Sequence, residues 1–396
     1  MSCKATINHG LPEPDPRSLA HTQRVADYIA GKIAAAGGAI SFAEYMQCAL
    51  YAPGLGYYTA GATKFGDQGD FITAPEVSPL FARVLARQCA GVLAQLPGGE
   101  ILELGAGSGV LCADMLTALE QLEALPNSYN ILEVSPDLRQ RQEEMLRARV
   151  PHLCARVRWL DQLPQAFTGV VVANEVADAL PVERFRRTGN AIERFDVACS
   201  NGEFTWQTAP APKVLQDAVL RIEDYIGRSL PEGYESEVCL PLPGWIEQLA
   251  DSLQKGFIFL FDYGLPRHEY YAPDRAAGTL NCHYRHRAHD NPLILPGIQD
   301  ITAWVDFTAI AEAAAASNLA VDGFVSQAHF LISGGLDQEL AHLVELDVRQ
   351  QVELARQAKI LTLPGEMGEV FKCIGLRAGN LLTPEAFAFG DRAHML

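Results

Sequence analysis

The stretch ILELGAGSGVL, residues 101–111, decides the fold. Ile101 to Leu104 has the length and apolarity of a short buried strand, and glycine then stands at 105, 107 and 109. An apolar helical run follows from Val110 to about Leu119. Glycine at alternate positions permits positive φ and lets backbone N–H groups approach a ligand closely. The helix that follows aims its positive end at the same place. Strand, glycine turn and helix in that order form a nucleotide-cofactor turn.

The letters select S-adenosylmethionine over a dinucleotide. A dinucleotide turn has G-x-G-x-x-G, its third glycine packing helix on strand. Here the spacing is G-x-G-x-G, and bulky Leu111 stands near the place of the third glycine. Glu103 adds a carboxylate just before the turn, awkward beside a pyrophosphate and suited to a sulfonium and an amino group. A nicotinamide-dependent oxidoreductase is therefore the weakest reading.

Working outward, strands and helices alternate from Glu100. YNILEVS (129–135) reads as a second strand, with a helix from Pro136 to about Arg149. ARVRWLDQL (155–163), GVVVANEV (169–176) and GFIFLFDYG (256–264) supply three more, and VDGFVSQAHFL (321–331) and EVFKCIGLRAG (369–379) can close the sheet. Short buried strands separated by helices predict an α/β fold, a parallel sheet with its switch point at the first strand. Residues 1–95 read as an N-terminal arm and helical region, with helix caps at Ser41 and Ser78. Residues 96–396 form the sheet domain, interrupted by insertions at about 182–250 and 264–318. The first carries a hairpin signal at Asn201-Gly202. Insertions after strand carboxyl ends are candidate substrate lids.

Composition sets bounds. The 396 residues are 48% hydrophobic and 20% charged, and can bury a sizeable core. A net charge of −17 argues against a nucleic-acid partner. Nine scattered cysteines and a polar N-terminus without an apolar signal segment predict reduced thiols in a cytoplasmic setting. The longest apolar runs are strand length, so no membrane span is expected.

Several acids stand at predicted strand ends. Glu133 is placed to accept from ribose hydroxyls, with Val134 beside it. Asp161 either reaches the adenine side or is a surface turn acid. NEVADALPVERF (174–185) offers Glu175 and Asp178 within one turn. The two carboxylates grip a guanidinium, or they are first-turn helix acids complementing the dipole. Asp262 is a substrate carboxylate or a loop-fixing acid. Asp70 and Thr73, in a Gly- and Pro-rich loop, close over the cofactor or cap a turn. Cys282, His283, His286 and His289 fit no strong zinc spacing, so no metal is expected.

Taken in order, GDFITAPEVSPLF, ILELGAGSGVL, YNILEVSP, NEVADALPVERF, FDYG and GTL…CHYRHRAHDNPL…PGIQDITAWVDF resemble the MidA-like family of S-adenosylmethionine-dependent class I methyltransferases. The resemblance runs from about residue 20 to 380. It implies a seven-stranded, Rossmann-like class I methyltransferase sheet, an N-terminal helical region and a substrate-covering insertion. The cofactor contacts it implies fall on Gly105, Gly107, Glu133 and the segment around Asn174; Asp70, Thr73, Glu103, Ala106, Val134 and Asp161 join them as candidates from the residues themselves. Its arginine substrate class gives Glu175 and Asp178 the guanidinium role, and Asp262 joins them as a catalytic candidate from its place at the strand end. The implied partner is a protein substrate such as a respiratory complex I subunit, with a homodimer as a further expectation. An assembly chaperone with a structural cofactor pocket is the alternative.

Overall fold

The computed structural model describes residues 3, 10–60, 73–341 and 346–396. The chain divides into two compact units. One comprises residues 1–71, 177–242 and 267–304; the other comprises 72–176, 243–266 and 305–396.

The second unit holds the sheet. Its strands are β1 (Glu100–Leu104), β2 (Tyr129–Leu132), β3 (Val157–Leu160), β4 (Phe167–Asn174), β5 (Leu253–Leu265), β6 (Ala320–Ser326) and β7 (Phe371–Ala378). They run in the order β6-β7-β5-β4-β1-β2-β3, and Val305–Asp306 pairs alongside β5. From β5 to β3 neighbouring strands are parallel. β7 lies antiparallel between β5 and β6. This is the seven-stranded order the resemblance implies, with the switch point at β1 and β4.

The sequence explains the layering. β4 reads FTGVVVAN and is buried on both faces, as a strand covered by helices on two sides must be. β5 places Phe257, Phe259 and Phe261 on one face. Phe330 meets Phe259 and Phe261 edge-on, at 5.9 and 4.8 Å between ring centres, and Phe81 meets Phe261 at 5.0 Å. Each such ring contributes about 1.5–3 kcal/mol by leaving water. Three helices flank β1 and β2: α1 (Pro79–Leu93), α2 (Val110–Gln121) and α3 (Pro136–Arg149). Ser78 caps α1 and Ser135 caps α3, each followed by proline at the first helical position.

The first unit pairs helices Pro16–Ala35 and Phe42–Tyr51 with an antiparallel sheet. Ser41 caps the second helix by accepting from the Glu44 N–H, as expected. Strands Ala191–Ser200 and Glu203–Pro210 meet at Asn201-Gly202, both at positive φ (53° and 82°), which fits the twist of a two-residue hairpin. A smaller sheet joins Asn281–Tyr284, Arg287–His289 and Asp300–Thr302.

One expectation fails here. Cys3 and Cys199 are joined in a disulfide across 196 residues of sequence, with Cα atoms 6.2 Å apart. Only folding brings those two positions together, so spacing along the chain carried no sign of the pairing. The other seven cysteines are free thiols, most of them buried. No helix among the described residues is long and apolar enough to cross a membrane.

Candidate active site

The carboxyl ends of β1 to β5 carry most of the predicted site residues of the second unit. After Leu104 the chain turns through Gly105, Gly107 and Gly109 with φ of 63°, 54° and 82°. A Cβ on Gly109 would lie 3.0 Å from Met145 Cε and 3.3 Å from Gln142 Cγ, so α3 seats directly on the turn. Gly109 is also the residue before α2 and has no side chain to cap it. Ser108 Oγ takes over in part, accepting from the Val110 N–H at 3.3 Å and donating to Glu76. Ala106 is buried between the glycines. Thr73 precedes the short helix Ala74–Val77 and makes no side-chain cap. Asp70 lies outside the described residues.

Glu103 is buried on the core face of β1. Tyr129 Oη donates to its Oε2 at 2.8 Å. Burial raises the Glu103 carboxyl to about 7, the Tyr129 bond works against the rise, and the neighbouring Glu133 charge adds to it.

Glu133, at the end of β2, is buried and held at both oxygens. Its Oε1 accepts from the Ser135 N–H at 2.9 Å, and its Oε2 accepts from Gln142 Nε2 at 3.2 Å. Val134 next to it is 65% exposed, an apolar surface open at the strand end. Arg139 reaches back from α3 to donate to the carbonyls of Glu133 and Leu160, at 2.5 and 2.7 Å. It also pairs with Asp161 at 2.7 Å, whose side chain is 89% exposed.

At the end of β4, Asn174 Nδ2 donates to Glu175 Oε1 at 3.0 Å. The Asn174 Oδ1 is buried without a partner among the described residues. Glu175 has φ of 55°, left-handed for a residue with a side chain, and its N–H donates to the Phe261 carbonyl at 2.8 Å. Residues 175–182 form bends and turns, so the alternative of first-turn helix acids falls away. Asp262, one residue beyond Phe261, is buried and accepts from the Tyr263 N–H at 3.0 Å. It stands opposite Lys372 in the β5–β7 register.

Asp178 belongs to the first unit. It is buried, and its carbonyl accepts from the Ala303 N–H at 3.0 Å. In the same unit Tyr58 Oη donates to Asp300 at 2.8 Å and stacks on Tyr51 with ring centres 5.4 Å apart. Burial first, and then the Asp300 and Asp178 charges, push both phenols far above their ordinary range.

Glu76, Ser108, Arg139, Gln142 and Trp159 escaped the sequence reading. For Gln142 the only sign was its place in a Leu138-x3-Gln142-x3-Leu146 stripe, the buried face of α3.

The comparisons with known proteins agree on methyltransferases, and two of them name the cofactor chemistry. The family model for S-adenosyl-L-methionine-dependent methyltransferases matches residues 84–325. The mitochondrial protein arginine methyltransferase NDUFAF7 of Danio rerio is 30% identical over 382 residues, 88% of this chain and 85% of that protein. The Drosophila melanogaster homolog is 29% identical over 401 residues, covering 93% and 88% of the two chains. A crystal structure from Burkholderia thailandensis, bound to S-adenosyl-homocysteine, superimposes with a TM-score of 0.93 at 42% identity, covering 98% of this chain and all of that one.

Proposed function

The chain belongs to the family of S-adenosyl-L-methionine-dependent methyltransferases, and from that premise we propose that it methylates an arginine side chain of a partner protein. The observation that carries the proposal is Glu175, an acid fixed at the end of β4 by a left-handed backbone and by the Asn174 amide. The relatives named as protein arginine methyltransferases support the acceptor class.

The residues present suit S-adenosylmethionine. A turn of three left-handed glycines leaves room for close approach, and Asn174 Oδ1 is a buried acceptor lacking a donor, suited to an ammonium. Gly105, Ala106, Gly107 and Glu103 would hold the amino-acid end, and Glu133 the ribose hydroxyls. Val134 would offer the adenine an apolar face, Asp161 would serve the adenine side, and Thr73 would stand over the cofactor. When bound, the cofactor supplies an electrophilic methyl group.

Glu175 does the work on the acceptor. A guanidinium stays charged at any working pH and presents paired donors that match a carboxylate. Held there, its positive charge would be drawn toward Glu175 and the far nitrogen would be freer for attack; that nitrogen would take the methyl group as the sulfonium–methyl bond breaks and give up one proton to a carboxylate or water, so the product keeps a single charge. Asp262, through the Tyr263 N–H, fixes the end of β5 beneath Glu175. Rate enhancement then comes mainly from positioning the two reactants.

A respiratory complex I subunit as acceptor, a cytoplasmic setting and a homodimeric state belong to the same proposal. Tritiated-methyl transfer into lysate, with mass spectrometry of the labelled protein, tests it. A methylated arginine, lost with Glu175→Gln, supports the proposal. Label on another residue type overturns the acceptor class. Cofactor binding with no labelled protein favours a chaperone instead.

A further inference from the structure

The geometry points to Gln142 as a positioning residue that locks the glycine turn and the ribose acid into one rigid cradle. The proposal rests on the reading of Glu133 as the acid that receives the ribose.

α3 is a polar helix whose buried positions are Leu138, Gln142 and Leu146, four residues apart. Packing alone would put a third leucine in the middle. Gln142 is instead completely buried, and an amide there is costly unless all its hydrogen-bonding capacity is used. It is used. Nε2 donates to the Gly107 carbonyl at 3.0 Å and to Glu133 Oε2 at 3.2 Å. Oε1 accepts from Trp159 Nε1 at 2.8 Å. An indole N–H can only donate, so Trp159 dictates which end of the amide faces β3. The NH2 is thereby turned toward the glycine turn and Glu133.

Both ends of the cradle are fixed by this one side chain. At Gly107 it holds a carbonyl aside, leaving the backbone of the turn in its left-handed path. At Glu133 it holds Oε2, while the Ser135 N–H holds Oε1. The carboxylate is thus set in a single rotamer before any ribose arrives, and its ordering cost is met on folding rather than on binding.

Calorimetric titration of the full chain with S-adenosylhomocysteine and with its 2′-deoxyribose analogue tests the assignment, on the wild type, Gln142→Met and Glu133→Gln. The wild type should prefer the ribose ligand by about tenfold, the effect of one charge-assisted hydrogen bond. In Gln142→Met both ligands should weaken through the loosened turn, and the ribose ligand by about tenfold more, so the preference collapses toward one. A purely structural role would weaken both ligands alike, and that outcome, or an unchanged preference, overturns the proposal. If Glu133→Gln keeps the wild-type preference, the ribose reading of Glu133 fails and takes this inference with it. If Glu133→Gln loses the preference and Gln142→Met retains it, only the role of Gln142 is refuted. Should Gln142→Met not fold, Trp159→Phe decides. It removes the donor that orients the amide, together with one ring of the indole, while leaving Gln142 in place, and should cut the preference to about threefold; an unchanged preference refutes the role.

Discussion

The Tyr129 phenol donates to the buried Glu103 carboxylate across the β1–β2 pair, at 2.8 Å. Burial wins over this bond, and the carboxyl sits at about 7 in the folded chain against an ordinary 4.5. A group raised in this way stabilises the fold fully below about pH 4.5 and loses that contribution as pH climbs to about 7. The Glu103→Gln variant keeps an acceptor for Tyr129 and has nothing to ionise. Its stability relative to the wild type should rise between pH 4.5 and 7 and then level off, by on the order of 3 kcal/mol. Urea unfolding of both proteins at four pH values gives the difference. Parallel curves would show that Glu103 titrates normally.

On the proposed placement of Glu103 at the cofactor's amino-acid end, the same carboxylate should make cofactor binding pH-dependent. A sulfonium and an ammonium nearby favour its charged form, so S-adenosylmethionine should bind more tightly as pH rises from 6 toward 8 and release a proton below about 7. Titrations in two buffers of different ionisation enthalpy count that proton. In Glu103→Gln the count should fall to near zero.

Glu175 carries its side chain on a left-handed backbone, φ 55°. Such a conformation costs on the order of 1 kcal/mol, which glycine does not incur. The Glu175→Gly variant should melt at a higher temperature than the wild type and be inactive. Glu175→Gln should melt unchanged, bind S-adenosylmethionine normally and transfer no methyl group. Loss of stability in the glycine variant would mean that the carboxylate's contacts outweigh the backbone strain.

Gly105 and Gly109 separate binding from folding. Gly105 has φ of 63° with Val176 Cγ2 at ordinary contact distance from a built Cβ, whereas Gly109 is crowded by Met145 and Gln142. Gly105→Val should abolish calorimetric binding of S-adenosylmethionine in a chain that still melts cooperatively. Gly109→Ala should lower stability by about 1–3 kcal/mol. Shrinking Met145 in the same chain should restore less than half, since the positive φ remains.

Arg139 and Asp161 form a salt bridge whose two ends differ in worth. Asp161 is nearly all in water, so Asp161→Asn should change stability by under about 0.5 kcal/mol. Arg139 also serves the carbonyls ending β2 and β3, and Arg139→Met should cost about 1–3 kcal/mol. Equal effects in denaturant titrations would assign the whole contribution to the ion pair.

Much of this was legible in the sequence because it is local. Ser135 followed by Pro136 marks the start of α3, and the apolar runs of β4 and β5 need no partner to be read as strands. Asn201-Gly202 encodes its own turn. What escaped is relational. Gln142 looks like one more polar residue in QRQEEM until α3 is laid on the glycine turn. Nothing near Glu175 signals a left-handed residue, because that conformation is imposed where the end of β4 pairs with Phe261. Cys3 and Cys199 are adjacent only in space.

The placement of β7 has a consequence for how the chain comes to be folded. β5 and β6 are both synthesised before β7, yet they do not pair with each other; each pairs with β7 along most of its length. Until residues 371–378 are available, two apolar strands stand with unpaired edges, the state most open to pairing with the wrong chain. The sheet therefore closes late, by insertion of its most sequence-distant member between two waiting neighbours. Long-range closure of that kind is slow, and the nascent protein has most need of a chaperone in the interval before β7 docks.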